Sequence, residues 1–258
     1  MSRFDGLLLD IDGVLVSSWR PLPGALGTMA WLRREGMPFR LITNTTTHTR
    51  NDLAATLAEA GLEVAPDEIV TAVVATAAYL RERHPNARAF VLCDGDATDD
   101  LEGIEIVRDG ADVVVLGGAY EGFDYPTLNH VFRMLMDGAD LVAMHRNLYW
   151  RTDEGWRLDG GAYVAGLEEA VGRRAEVCGK PSPTYFSSAL QQIGVPAARA
   201  AMVGDDVASD VLGAQAAGLT GVLVRTGKFR PEDLERLSGT PDVTLDSVGD
   251  LPRLLATS

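Results

Sequence analysis

Phe4-Asp5-Gly6-Leu7-Leu8-Leu9-Asp10-Ile11-Asp12-Gly13-Val14 is the stretch on which the reading of this chain turns. The unbroken apolar run Leu7-Leu8-Leu9 reads as a buried strand. Asp10 and Asp12 stand at its C-terminal end, one residue apart, and in extended chain such residues point the same way. Both can therefore address one small ligand, and Gly13 lets the backbone turn sharply after them. In open α/β sheets ligands bind at the carboxyl ends of strands. Two carboxylates this close are costly unless a cation or a shared proton relieves them. An aspartyl nucleophile, an acid/base partner and a divalent metal need this arrangement. Taken alone, it also describes an ordinary turn, so the rest of the chain decides.

Working outward, apolar β-type runs alternate with helical patterns, which indicates an α/β fold. Helices are expected over Ala25–Glu35, Arg50–Ala60 and Pro66–Arg83, with a strand at Phe39–Ile42. His84-Pro85-Asn86 breaks the pattern. Beyond it come strands at Ala89–Cys93, Val113–Leu116 and Leu141–Met144, and helices at Tyr125–Met136 and Ala162–Val171. A helix over Thr184–Gln192 follows, with Ser182 and Pro183 at its start. Then come a strand at Ala200–Val203, a helix over Val207–Ala217, a strand at Gly221–Val224 and a short helix over Pro231–Leu237. The economical organisation is a discontinuous core of residues 1–80 and 178–258 carrying an inserted, smaller α/β domain over 81–177.

The 258 residues suffice for one large domain or two modest ones, and 46% hydrophobic with 23% charged residues reads as globular. No apolar run approaches the roughly 20 residues of a membrane span. The N-terminal residues show no long apolar segment of a signal peptide. The expected location is cytoplasmic, with no membrane partner. A net charge of −14 argues against a nucleic-acid partner, whose phosphates demand a basic surface. Cys93 and Cys178 are far apart and without metal-ligand spacing, and read as free thiols.

Three further polar clusters lie at expected strand ends or helix starts. Thr43 and Asn44 follow the second strand; they either cap the next helix or hold phosphate oxygens. Lys180 precedes a helix and can reach an anion at its positive end. Asp205, Asp206 and Asp210 open the helix after the Ala200–Val203 strand, where a carboxylate can ligate Mg²⁺.

In this order, Asp10-Ile11-Asp12-Gly13-Val14, Thr43-Asn44, Lys180 and Gly204-Asp205…Asp210 resemble the motifs of the haloacid dehalogenase superfamily. The insertion between Thr43 and Lys180 resembles the type-II α/β cap of its NagD-like phosphatases. Pro21–Ala25, Thr43–Thr46, Gly179-Lys180-Pro181, Gly204–Asp206 and Arg225-Thr226-Gly227-Lys228-Phe229 resemble the branch containing phospholysine phosphohistidine inorganic pyrophosphate phosphatase. The resemblance implies a Rossmann-like parallel-sheet core with an inserted type-II cap. It also implies a Mg²⁺-dependent phosphatase acting on a small phosphorylated compound or pyrophosphate through an aspartyl phosphate on Asp10. In that scheme Asp12 is the general acid and base. Thr43, Asn44 and Lys180 bind the phosphate, and Lys180 also neutralises charge. Asp10, Asp12 (through its carbonyl) and Asp205 hold the metal. Asp210 and Asp206 stand behind these ligands, Asp206 as supporting residue or simple helix-start carboxylate. Asp12 sets the chain apart from dehalogenases, which lack the second Asp. A homodimer paired through the cap is expected from the same resemblance.

Other readings stay open at this point: a nucleotidase or sugar phosphatase of the NagD type, and a non-catalytic binding or regulatory protein on the same fold. Cys93-Asp94-Gly95-Asp96…Asp99-Asp100 lacks the Glu and the spacing of a calcium loop and reads as a solvated turn. His48 reads as a surface helix residue. His145 or Arg146, after an expected cap strand, are candidates for touching substrate. Tyr149, Trp150 and Trp156 read as cap core or interface.

Overall fold

Every residue of Gly6–Asp10 is buried, as an unbroken apolar run requires of a strand covered on both faces. The computed structural model describes residues 3–152, 155–236 and 239–256. Its elements run β1 (Gly6–Asp10), β2 (Val16–Ser17), β3 (Arg20–Pro21), α1 (Ala25–Arg34), β4 (Phe39–Thr43), α2 (Arg50–Glu59), β5 (Ile69–Thr71) and α3 (Ala72–Arg83). They continue with β6 (Arg88–Leu92), β7 (Glu105–Ile106), β8 (Val113–Leu116), α4 (Tyr125–Met136), β9 (Asp140–Ala143), β10 (Tyr149–Thr152), β11 (Gly155–Leu158), α5 (Gly160–Val171) and β12 (Glu176–Val177). The last are α6 (Pro183–Ile193), β13 (Ala200–Gly204), α7 (Gly213–Ala216), β14 (Thr220–Val224), α8 (Pro231–Arg236), β15 (Val243–Leu245) and α9 (Leu251–Ala256). Among the described residues no helix is long and apolar enough to cross a membrane.

The chain divides into two compact units, the first made of residues 1–43, 50–70 and 180–258. Its sheet has the order β15-β14-β13-β1-β4-β5. Leu8 lies opposite Met202 of β13 on one side and Arg40 of β4 on the other, both pairings parallel. The chain thus builds outward from β1 to β4 and β5, then returns to lay β13, β14 and β15 on the opposite flank. That reversal beside β1 is the switch point at which such Rossmann-like sheets bind ligands. On one face Leu7, Leu9, Leu41, Val203 and Val222 pack with Leu32 of α1 and with Leu251 and Leu255 of α9. Each fully buried leucine contributes about 1.5–3 kcal/mol.

The second unit, residues 44–49 and 71–179, is α/β as well. Its parallel sheet has the order β12-β9-β8-β6-β7. Alternation along β8 splits its core into two layers. Val113 and Val115 meet α3 through Ala72, Val73, Ala77 and Leu80. Val114 and Leu116 face Val131 and Leu135 of α4 and Val164 and Leu167 of α5. α5 carries a buried charge. Glu168 accepts from Arg146 at 2.9 and 2.7 Å, from Arg174 at 3.0 Å and from the Ala175 amide at 2.8 Å. Burial would raise its pKa, but these donors outweigh burial and hold it low.

Several stretches depart from the sequence reading. The single helix expected over Pro66–Arg83 is a 3₁₀ turn, Pro66–Glu68, then β5, then α3. The β-branched run Ile69-Val70-Thr71 favours extended backbone, and the Thr71 hydroxyl then caps α3 by accepting from the Val74 amide at 3.2 Å. Because α3 packs on the second sheet, the division of the chain falls at Val70/Thr71, whereas the expected boundary at 80/81 lies inside α3. The helix expected over Val207–Ala217 begins as a π-helical turn, Val207–Leu212, before α7. An antiparallel hairpin, β10–β11, occupies a stretch for which no element was expected. Leu237, the last residue of the short expected helix, lies outside the described residues; α8 runs Pro231–Arg236.

Candidate active site

At the C-terminal end of β1, Asp10 is buried and its Oδ1 accepts from the Lys180 ammonium at 2.8 Å. The same ammonium lies 2.7 Å from Oδ1 of Asp210, which is fully buried. Lys180 is the first residue of the chain's return to the first unit, just before α6, and its peptide bond to Pro181 is cis. Ser182 holds the N-cap position of α6 with Pro183 first in the helix, although the serine side chain makes no capping bond.

Asp205 follows β13 and is also fully buried. Its Oδ2 accepts from the Lys228 amide at 2.5 Å, while among the described residues Oδ1 meets no hydrogen-bond partner. Two glycines make room for this carboxylate. Gly13 and Gly227 both have positive φ, +87° and +61°, and a Cβ on either would fall on Asp205 Oδ2. The loop after β14 is fastened to the loop after β1 by the Thr226 hydroxyl, which donates to the Gly13 carbonyl at 2.5 Å.

Asp206 is spent locally. Its Oδ1 accepts from the amides of Ala208 and Ser209, both at 2.9 Å, and so caps the π-helical turn. Its own amide donates to Asp210 Oδ2 at 3.1 Å. The helix-start alternative thus describes its side chain, and its backbone supports Asp210.

One carboxylate oxygen from each of Asp10, Asp205 and Asp210 lies within 4.8 Å of the others. The cluster carries more negative charge than one ammonium offsets, and the ionisation equilibria follow. Burial first, then the charges of Asp10 and Asp210, push Asp205 well up. Burial also pushes Asp210 up, to about 6, although Lys180 opposes it. Burial alone would lower Lys180, but Asp10 and Asp210 outweigh it and keep the ammonium protonated. Asp12 is exposed as a residue, yet desolvation of its carboxyl raises its pKa; Lys228 opposes this and Asp10 adds to it. An excess of buried carboxylate, an oxygen-only donor set and an unpartnered buried oxygen on Asp205 fit a hard divalent cation. Within this grouping of side chains the Asp210 carboxylate stands beside the expected ligands Asp10 and Asp205.

Thr43 ends β4, and Asn44, its neighbour in sequence, groups with the second unit. There the Asn44 side-chain oxygen lies where a Cβ on Gly179 would meet it at 2.6 Å, so residue 179 has no room for a side chain. His48 Nδ1 and the Thr47 hydroxyl share a hydrogen bond of 2.8 Å. His145 is buried, with Nδ1 accepting from the Asn147 amide at 3.2 Å and Nε2 3.9 Å from Asp159. Arg146 is paired with Glu168. Tyr149 and Trp156 pack edge to face across the β10–β11 hairpin, both exposed, and Trp150 pairs with Arg157 in its ladder. Ala97–Asp100 is a 3₁₀ turn, in line with a turn rather than a calcium loop.

Two residues with no assigned role in the sequence reading belong to this region. Lys228 places a second positive charge near Asp205, Asp10 and Asp210, which together raise its pKa against the effect of burial. Tyr185 of α6 is fully buried, and its hydroxyl lies against the end of β4.

Residues 7–107 match the family model described as haloacid dehalogenase-like hydrolase, and residues 177–251 match one described as HAD-hydrolase-like. The chain is 37% identical over 241 residues to haloacid dehalogenase-like hydrolase domain-containing protein 2 of Homo sapiens, covering 93% of this chain and 92% of that one. It is 36% identical over 261 residues to the phospholysine phosphohistidine inorganic pyrophosphate phosphatase of Rattus norvegicus, covering 99% and 95%. Among solved structures, the p-nitrophenyl phosphatase from Archaeoglobus fulgidus superposes with a TM-score of 0.91 at 30% identity, covering 98% and 99% of the two chains. NagD from the E. coli K-12 strain gives 0.86 at 28% identity, covering 97% and 98%.

Proposed function

The chain belongs to the haloacid dehalogenase-like hydrolases, as a NagD-like phosphatase, and on that premise we propose that it cleaves a small phosphorylated compound or pyrophosphate through an aspartyl phosphate on Asp10. The observation that carries this reading is the Lys180 ammonium held between Asp10 and Asp210 with buried Asp205 beside them.

In the first step a carboxylate oxygen of Asp10 attacks phosphorus as the bond to the leaving oxygen breaks, and Asp12 gives that oxygen its proton. The raised pKa of Asp12 suits a donor, because more of it is protonated near neutrality than of an ordinary carboxyl. In the second step the Asp12 carboxylate takes a proton from water. The water oxygen bonds to phosphorus, the bond from Asp10 to phosphorus breaks, and phosphate leaves with both side chains restored. Lys180 offsets charge on the nucleophile and on the phosphoryl oxygens throughout. Asp210 orients the Lys180 ammonium that it touches. The Thr43 hydroxyl and Asn44 hold non-bridging oxygens. Lys228 adds positive charge beside Asp12 and Asp205 and favours the approach of an anionic substrate. Asp10, Asp205 and the Asp12 carbonyl would hold Mg²⁺, with Asp210 behind them. Bound there, the ion supplies charge neutralisation between the carboxylates and the phosphoryl group.

The test is phosphate release from a generic aryl phosphate by wild-type and Asp10→Asn protein, each with Mg²⁺ or EDTA. Release that needs both Mg²⁺ and Asp10 is expected, with the variant lower by several orders of magnitude. Near-normal turnover by folded Asp10→Asn protein would sink the mechanism. A metabolite screen with pyrophosphate early in the set then identifies the leaving group. The reading includes a cytoplasmic location, which the free thiols Cys93 and Cys178 suit. It also includes a homodimer paired through the second unit, where Tyr149, Trp156 and Leu158 are exposed. Sedimentation of the purified protein checks the homodimer.

A further inference from the structure

Tyr185 is a buried polar side chain that the proposed chemistry leaves unused. Its ring packs edge to face against Phe186. Its hydroxyl accepts from the Thr43 amide at 3.1 Å and lies 2.6 Å from the Val70 carbonyl and 3.0 Å from the Thr43 carbonyl. A phenol has one proton; the shorter contact takes it, so the hydroxyl donates chiefly to Val70 while it receives from Thr43. One oxygen thus ties the end of β4 and the middle of β5 to α6. Thr43 and Val70 are also the residues at which two segments of the first unit end.

The tyrosine follows Lys180 closely. Between them run Pro181, Ser182, Pro183 and Thr184, and the Ser182 carbonyl accepts from the Tyr185 amide at 3.1 Å. This short, proline-stiffened segment therefore carries an ammonium to Asp10 and a phenol to Thr43. Burial pushes the phenol pKa up, so the hydroxyl stays neutral and keeps both its donor and its acceptor role. Enclosed by backbone in this way, it has no path to a substrate atom.

We propose that Tyr185 is a positioning residue for phosphate binding: its hydroxyl fixes the backbone of Thr43 and so aims the Thr43 side chain at the phosphate, in register with Lys180. The inference rests on reading Thr43 as a phosphate ligand.

The decisive variant is Tyr185→Phe, which keeps the ring and removes only the hydroxyl. Leu190→Ala, which removes buried volume from the same helix and leaves the Tyr185 hydroxyl in place, serves as a control for simple destabilisation. Three quantities are read on the full chain. They are amide exchange of the segment containing Thr43 without ligand, the inhibition constant of orthophosphate with Mg²⁺, and the split between KM and kcat on an aryl phosphate. Loss of one buried hydrogen bond corresponds to about a tenfold change in an equilibrium. Tyr185→Phe is expected to speed exchange at Thr43 by about that factor and to weaken orthophosphate and raise KM by about three- to tenfold, with kcat changed less. Leu190→Ala is expected to lower Tm with KM and the phosphate constant unchanged. Unaltered exchange at Thr43 overturns the proposal. So does faster exchange with phosphate affinity no weaker than in Leu190→Ala, since the hydroxyl would then be structural only. Wild-type protein that neither binds orthophosphate nor turns over fails at the functional reading itself, before any variant is compared.

Discussion

Metal-free protein should lose stability as pH rises from 5 to 7.5, and Mg²⁺ should suppress that loss. Asp210 gives the magnitude. Unfolded, its carboxyl ionises near the ordinary 3.8; folded, it is pushed up to about 6 by burial. The folded state therefore binds the proton more tightly. Its contribution is fully present below 3.8 and is lost as pH climbs through 6. A gap of roughly two pH units corresponds to about 3 kcal/mol in total, of which about 1.4 kcal/mol falls between pH 5 and 7.5. In a chain of this size that amounts to a Tm decrease of about 3–6 °C. Asp205, also pushed up, adds in the same direction. Carboxylates held low, such as Asp5, Glu68 and Glu168, are mostly ionised in both states above pH 5 and oppose the trend only slightly. Thermal scans in EDTA and in excess Mg²⁺ across this range measure it, with Asp210→Asn expected to flatten the EDTA curve. A metal-free Tm that is level or rises with pH, or a slope that Mg²⁺ leaves untouched, refutes the picture of an under-neutralised carboxylate cluster.

Gly13→Ala should cut turnover by about 10²-fold or more, since its Cβ must displace the Asp205 carboxylate and small misplacements at a reacting centre carry penalties of that order; the Mg²⁺-induced gain in Tm should vanish with it, and an unchanged gain would contradict the glycine's role. Lys228→Gln should raise KM roughly three- to tenfold at low salt, with the difference narrowing as salt screens the charge; kinetics at two ionic strengths decide, and a salt-independent effect would remove Lys228 from substrate attraction. In the second unit, Glu168→Ala should destabilise by about 2–3 kcal/mol, because four donors lose a buried acceptor while the partly exposed arginines regain water. Urea unfolding measures this, and a loss within error of zero would mean that the buried network contributes nothing net.

Most of the first unit was legible because its signals are local. Leu7-Leu8-Leu9 followed by Asp10, and the strand Ala200–Val203 followed by Asp205, each announce a strand with a polar end, and the parallel-sheet rule brings such ends together. What escaped the sequence depends on partners far along the chain. Tyr185 reads as one more apolar residue of a helix, and nothing near it points to Thr43. Lys228 lies in a loop whose approach to Asp205 exists only once Gly13 and Gly227 permit it. The strand β5 is three residues long and was absorbed into the helical pattern that follows it. The hairpin β10–β11 lacks the Asn-Gly or Asp-Gly signal of a tight turn. The π-helical turn at Val207–Leu212 escaped as well, because apolar periodicity does not separate it from an ordinary helix over Val207–Ala217.

The central place of β1 has a consequence for how the chain is made. Its partner on one side, β4, leaves the ribosome soon after it, but Ala200, opposite Gly6 on the other side, comes much later. At about 5–20 residues per second, roughly ten to forty seconds of synthesis separate the two. Through that interval the apolar strand β1 has one edge without its final neighbour, and an open apolar edge is a template for pairing with other chains. A nascent chain that stops short of β13 is therefore a hazard for aggregation as well as an incomplete enzyme, and shelter of β1 during translation should govern yield more than the stability of the finished sheet does.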